Sequence, residues 1–137
     1  MNDKNKMKPK PLIAVVDDDS SLRESTQLLL RSAGYRVEVF ASAREFLDSP
    51  RIDETACLLL DVRMPGMDGL ELQRFLNEAQ RQIPIIFITA HATENAEPRA
   101  RKAGAVDFLR KPVNDERLLS AIQTALKGWK DDERKRQ

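Results

Sequence analysis

At 137 residues the chain is one domain's worth, long enough to bury a core and too short for that domain plus a second of similar size. Its 23 basic and 22 acidic side chains leave a formal net charge of +1, so nothing global argues for a nucleic acid or a membrane as partner. One cysteine, Cys57, excludes an internal disulfide framework, and no stretch approaches the ~18 consecutive apolar residues of a membrane span.

Residues 1–10 are polar and lysine-rich without the apolar stretch of a secretory signal, and are expected to form a flexible basic tail on a cytoplasmic protein. Residues 11–128 are expected to be the folded domain. The continuous apolar run at 12–16 is that of a strand buried on both faces. Ser21 and Glu24 then fit a capping box for a helix with Leu22, Leu28, Leu29 and Leu30 as its apolar face, and Gly34 stands where a left-handed C-terminal cap is wanted. Val37, Val39 and Phe40, partly alternating with Arg36 and Glu38, make a second strand. Ser42 and Glu45 offer another capping box for a short helix that Pro50 ends.

Strand three is expected at 57–60, with Cys57 as a small buried residue at its head. The turn Met64-Pro65-Gly66-Met67-Asp68-Gly69 leads to Asp68, a natural N-cap for a helix carrying Leu70, Leu72, Phe75 and Leu76. Pro84 introduces strand four. The next helix should start late, near Glu97 or Pro98, leaving 90–96 as an extended loop. Proline is tolerated in a helix's first turn, whereas inside the helix it costs about 3 kcal/mol. Gly104 closes that helix, strand five follows at 106–109, and Asn114 or Asp115 caps a last helix with Leu118, Leu119, Ile122, Ala125 and Leu126 on one face. Residues 129–137 are expected to be a polar tail or linker stub. The alternation of strands and helices predicts an α/β fold, a flavodoxin-like doubly wound parallel sheet of order 2-1-3-4-5 with helices on both faces. Strand two ends blandly at Phe40-Ala41, which suits an edge.

The other strands end on functional groups: Val15-Val16 on Asp17-Asp18, Leu58-Leu59-Leu60 on Asp61, Ile85-Ile86-Phe87-Ile88 on Thr89, and Val106-Asp107-Phe108-Leu109 on Arg110-Lys111. In an open α/β sheet ligands sit beyond the carboxyl ends of parallel strands, so these groups converge although far apart in sequence. Carboxylates with open positions suit magnesium, which binds through one or two carboxylates plus a phosphate. Asp61 ends its run with no apparent packing reason and can attack phosphorus, provided charge is neutralised by Lys111 and magnesium while Thr89 donates to a phosphoryl oxygen. The plain alternative for Asp17-Asp18-Asp19 is an acidic loop capping the next helix.

Val16-Asp17-Asp18-Asp19, Leu60-Asp61-Val62-Arg63-Met64-Pro65-Gly66-Met67-Asp68-Gly69, Ile88-Thr89-Ala90 and Ala103-Gly104-Ala105-Val106-Asp107-Phe108-Leu109-Arg110-Lys111-Pro112 together strongly resemble the receiver domain of two-component response regulators. The last two motifs are nearest in wording to receivers of nitrogen-fixation regulators. The resemblance implies that Asp61 accepts a phosphoryl group from a histidine kinase or phosphotransfer protein. It implies Asp18, Asp61 and the backbone carbonyl of Arg63 as direct magnesium ligands, with Asp17 acting mainly through water. Thr89 and Phe108 would be the switch pair and Lys111 the phosphoryl contact, with a cis peptide before Pro112. Arg63 and His91 occupy positions that tune phosphoryl lifetime in this family, although His91 can equally be a plain loop residue.

The implied function is signalling through a changed strand 4/strand 5 face to a downstream effector outside this chain. It is not general enzymology: the domain would assist only its own phosphorylation and dephosphorylation. A haloacid-dehalogenase-like phosphatase using Asp17 and Asp19 would leave Asp61 without a role, and Asp131-Asp132 follows no apolar strand that could supply that family's further acidic pair. A phosphorylation-independent receiver-fold interaction module is opposed by the intact acid pair, Thr89 and Lys111. No helix-turn-helix pattern, zinc motif or concentrated basic face is present, so direct nucleic acid contact is not expected. Arg99, Arg101 and Lys102 strip the fourth helix of apolar residues, so the unphosphorylated chain is expected to be a monomer.

Overall fold

An uninterrupted apolar run leaves no polar side for water, so it folds as a strand covered on both faces. In this computed structural model, which describes residues 10–90, 93 and 95–136 (128–136 by backbone alone), such runs form β1 (Leu12–Val16), β3 (Thr55–Leu60) and β4 (Ile85–Thr89). The less apolar β2 (Arg36–Phe40) and β5 (Asp107–Arg110) take the edges. All pairings are parallel in the order β2-β1-β3-β4-β5, as the sequence predicts. Val16 is level with Leu60, Leu60 with Phe87, and Phe87 with Phe108, so the strands deliver their following residues to one rim.

The helices are α1 (Ser20–Ser32), α2 (Ala43–Leu47), α3 (Gly69–Glu78), α4 (Ala96–Lys102) and α5 (Asp115–Arg136), with a 3-10 turn at Ile52–Glu54 that the sequence reading does not anticipate. Alternate strand residues point to opposite faces. Ile13, Val15, Leu59 and Ile86 therefore pack with Leu30 of α1 and Leu118, Ile122 and Leu126 of α5. Val16, Leu58, Leu60 and Phe87 pack on the other side with Phe46, Leu72, Leu76, Ala96 and Ala100 of α2, α3 and α4.

Several helix ends follow the expected chemistry. Asp68 and Glu71 make a complete capping box on α3, and Asn114 Oδ1 accepts from the Arg117 N–H at 2.7 Å to cap α5. Gly34 and Gly104 adopt φ of 96° and 105°, the left-handed conformation in which a helix is closed without a Cβ penalty. α4 begins at Ala96, which puts Pro98 in its first turn, where the missing N–H has no intrahelical partner.

Other ends differ. The N-cap of α1 is Asp19, whose carboxylate accepts from the N–H groups of Ser21 and Leu22, and not Ser21; a carboxylate two residues earlier is a stronger acceptor than a hydroxyl. Ser42 caps α2 through the Glu45 N–H, but Glu45 returns to the N–H of Ala41, so that box is offset by one residue. β3 begins two residues earlier than expected and β5 one later. Leu28 is 72% exposed and Phe75 45%, because each lies on a flank of its helix rotated away from the sheet. The backbone of α5 continues as helix to Arg136, across residues expected to form a polar tail. No helix among the described residues is long and apolar enough to cross a membrane.

Candidate functional site

The rim of the sheet brings together four of the predicted groups. Asp17 continues from β1 with its N–H on the Phe40 carbonyl at 3.1 Å, and Asp61 leaves β3 with its N–H on the Val16 carbonyl at 3.1 Å. Each backbone is thus still in the ladder when its carboxylate emerges. Asp17 and Asp61 are buried and Asp18 is exposed, and one oxygen from each of these three lies within 4.8 Å of the others. Lys111 follows β5 with its N–H on the Thr89 carbonyl at 2.9 Å. Its ammonium reaches Asp17 Oδ2 at 2.9 Å and Asp61 Oδ2 at 3.2 Å. The Lys111-Pro112 peptide is cis, as the resemblance implied.

Charge explains why these groups tolerate one another. Burial pushes the Asp17 carboxyl up and the Asp61 charge adds to it, while the Asp19 N–H at 2.9 Å and the Lys111 ammonium pull it down; the net direction is upward. For Lys111 burial opposes the charged form, yet the bond to Asp17 and the charges of Asp61 and Asp17 outweigh it, so its pKa is raised. Three carboxylates against one ammonium leave an unbalanced negative charge made of hard oxygens, a donor set that fits magnesium. Cys57, fully buried with its thiol pushed up to about 12 by desolvation, is an inert core residue.

Thr89 is buried at the end of β4. Phe108 is also buried, its ring centroid 5.9 Å from that of Phe87 and the Arg110 guanidinium 5.8 Å from its own. The Arg63 N–H donates to Asp61 Oδ1 at 3.3 Å, so the turn after β3 orients the carboxylate it follows. His91 lies outside the described residues. Asp19, the acid of the phosphatase reading, has its carboxylate engaged as the α1 cap.

Sequence reasoning missed two contributors. Gly69, seen only as part of a turn, opens α3 directly against the Asp61 backbone: a Cβ there would stand 2.1 Å from the Asp61 carbonyl oxygen. Arg23 donates from Nη1 to the Asp17 carbonyl at 2.8 Å. Its signal was its place four residues after Asp19, one turn into the helix that Asp19 caps.

Comparison with known proteins decides the family. The family model described as the response regulator receiver domain matches residues 13–123. This chain belongs to that family. Nodulation protein W of Bradyrhizobium diazoefficiens is 50% identical over 116 residues, which span 85% of this chain and 51% of that protein. The transcriptional regulatory protein FixJ of the same organism is 42% identical over 121 residues, 88% of this chain and 59% of FixJ. The crystal structure of FixJ-N superposes with a TM-score of 0.78 at 35% identity, covering 88% of this chain and 96% of that one. The receiver thus spans between about half and three fifths of these curated relatives' length. Receivers of this family are signalling domains of two-component systems that bind magnesium in an acidic pocket, and the aspartates here form such a pocket.

Proposed function

We propose that this receiver accepts a phosphoryl group on Asp61 from a histidine kinase or phosphotransfer protein. The observation that carries the reading is the placement of Asp61 Oδ2 3.2 Å from the Lys111 ammonium, in a trio in which one carboxylate oxygen each of Asp17, Asp18 and Asp61 lie within 4.8 Å of one another. A carboxylate oxygen of Asp61 attacks phosphorus, the bond from phosphorus to the donor's imidazole nitrogen breaks, and the imidazole leaves with the electron pair. Lys111 neutralises the phosphoryl charge from one side. Asp18 and Asp61, with the Arg63 carbonyl, would hold magnesium directly and Asp17 through water; the ion supplies the remaining neutralisation of the phosphoryl oxygens.

Thr89 and Phe108 are the switch pair in this reading. A phosphoryl group on Asp61 offers the Thr89 hydroxyl a new acceptor, and the β4 and β5 face repacks around Phe108 in response. Arg63 and His91 are candidates for tuning phosphoryl lifetime. The effector that reads the face is a protein or domain outside the described residues, and the name of FixJ, a transcriptional regulatory protein, supports an output in gene regulation. The receiver itself is read as cytoplasmic, monomeric before phosphorylation, without direct nucleic acid or membrane contact and without turnover on general phosphate esters.

The test is incubation with acetyl phosphate and magnesium followed by intact mass. One added phosphoryl group is expected, lost in Asp61→Asn and on chelation. Asp18→Ala should lose metal affinity, and Lys111→Ala should impair labelling while largely sparing metal binding. Thr89→Ala and Phe108→Leu should retain labelling and lose the conformational response. Labelling of Asp61→Asn at the native rate would overturn the assignment, and magnesium-dependent hydrolysis of a generic phosphomonoester that depends on Asp17 but not on Asp61 would support the phosphatase reading instead.

A further inference from the structure

The turn between β1 and α1 carries the exposed member of the acidic trio, and it is tied from both sides. On the sheet side, the Asp17 N–H is held by the Phe40 carbonyl at 3.1 Å. On the helix side, the Asp19 N–H donates to Asp17 Oδ1 at 2.9 Å and Asp19 Oδ1 accepts from Ser21 and Leu22. These are bonds that any Asx turn at a helix N-terminus makes. The remaining tie is of another kind. Arg23, one turn into α1, bends back six residues and donates from Nη1 to the main-chain oxygen of Asp17 at 2.8 Å.

That oxygen and the Asp18 nitrogen share one rigid peptide plane, so holding the oxygen fixes the direction in which Asp18 departs from the sheet. Among the described residues, no side chain or N–H bonds the Asp18 carboxylate itself. Its position is inherited from its backbone. We infer that Arg23 is a positioning residue for the divalent cation: it fixes the Asp17-Asp18 peptide and thereby the oxygens that Asp18 presents. The inference rests on the reading of Asp18 and Asp61 as magnesium ligands.

Arg23 also carries a positive charge close to the pocket, which opposes a cation. The two effects have opposite signs, and this makes the role testable. If charge dominated, removing the guanidinium would tighten magnesium binding. If positioning dominates, removal weakens it, because groups that orient metal ligands typically account for about tenfold or more in metal affinity. Positioning is favoured because Nη1 is aimed at a neutral carbonyl and not at a carboxylate. Lysine keeps the charge but lacks the planar fork of donors, so it is the informative conservative change.

The experiment is calorimetric titration of the full chain with magnesium chloride, alongside the magnesium dependence of acetyl phosphate labelling. Arg23→Ala and Arg23→Gln should each bind magnesium about tenfold more weakly. The half-saturating magnesium concentration for labelling should rise by the same factor, while the rate at saturating magnesium stays near native. Arg23→Lys should recover part of the affinity, and Glu24→Ala, an exposed neighbour on α1, should match the native chain. Thermal unfolding without metal checks that each variant is folded, and the neutral glutamine variant serves if alanine is not. Native or tighter magnesium binding in a folded neutral variant would overturn the inference while leaving the Asp61 assignment intact. Absence of magnesium binding and of Asp61 labelling in the native chain would instead overturn the reading on which it rests.

Discussion

Gly69 and Asp61 are in direct backbone contact: a Cβ on Gly69 would stand 2.1 Å from the Asp61 carbonyl oxygen and 3.1 Å from the Phe87 ring. The Gly69 N–H is meanwhile bonded to the Val62 carbonyl at 2.8 Å, so neither partner is free to retreat. Helix α3 therefore packs against the strand end that carries the candidate phosphoacceptor. Only glycine permits that approach.

Gly69→Ala should accordingly destabilise the fold by about 1–3 kcal/mol, the usual cost of overpacking a tight site. It should also slow labelling of Asp61 in the fraction that remains folded, since relief of the clash requires the Asp61 backbone to move. Urea denaturation and acetyl phosphate labelling measure the two effects. A native midpoint would show that α3 can shift without disturbing Asp61.

Asp17 leads to a prediction with a pH signature. Burial raises its carboxyl above the ordinary value of 3.8, so the native state binds its proton more tightly than the unfolded chain does. Stability is therefore lost as pH rises from about 3.8 through the raised value, and the penalty remains at neutral pH. Lys111 adds nothing to this window, because its raised pKa withdraws stability only above the ordinary 10.5. In the presence of a chelator, Asp17→Asn should be more stable than the native chain at neutral pH, with an advantage that shrinks to nothing as pH falls below the carboxylate range. Thermal melts across that range test it, and an advantage independent of pH would refute the electrostatic cause.

The ends of β1, β3 and β4 were legible in sequence because a doubly buried strand is apolar nearly throughout, so a switch to Asp17, Asp61 or Thr89 has no packing reason. The late start of α4 was legible from Pro98 alone. The cap of α1 was not: Asp19 and Ser21 are both good caps, and the choice depends on where the sheet releases the chain. Leu28 and Phe75 misled because an apolar residue on a helix does not announce which flank it occupies. The helical backbone past residue 128 has a different origin, since lysine, glutamate and arginine are good helix formers by intrinsic propensity. Arg23 and Gly69 escaped notice because their partners are backbone oxygens, which carry no signature in a list of side chains.

Helix α4 buries only Ala96 and Ala100, so apolar contact alone holds it weakly. Two amides on α3 add to it: Gln73 Nε2 donates to the Ala100 carbonyl and Asn77 Nδ2 to the Ala103 carbonyl, both at 3.0 Å. Gln73→Leu should cost about 1 kcal/mol, the net value of one hydrogen bond, because the Ala100 carbonyl keeps the Ala105 N–H at 3.0 Å. Hydrogen exchange should accelerate across α4 before it does in the sheet. Uniform acceleration in both would assign Gln73 to global stability and not to the docking of α4.

Asp107 sits beside Phe108 and holds together the elements around it. Its oxygens take Arg101 of α4 at 3.1 Å, Arg117 of α5 at 2.8 Å and the Phe108 N–H at 2.8 Å. Burial works against the charged form, but Arg117, the Phe108 N–H and Arg101 overcome it and lower the carboxyl below its ordinary 3.8. The sign is opposite to that of Asp17: this stability is present above 3.8 and is lost as pH falls through the depressed value. Both arginines are about half exposed, so each pair contributes at most about 1 kcal/mol. Asp107→Asn keeps an oxygen for the Phe108 N–H and puts an amide NH2 where the other oxygen accepts from Arg117, so the charge and that acceptor go together. The variant should be less stable than the native chain at neutral pH and low salt, with a deficit that narrows in acid and again at 1 M salt, where screening acts over about 3 Å. A deficit unmoved by salt and acid would mean that Asp107 acts through the shape of the β5 turn alone.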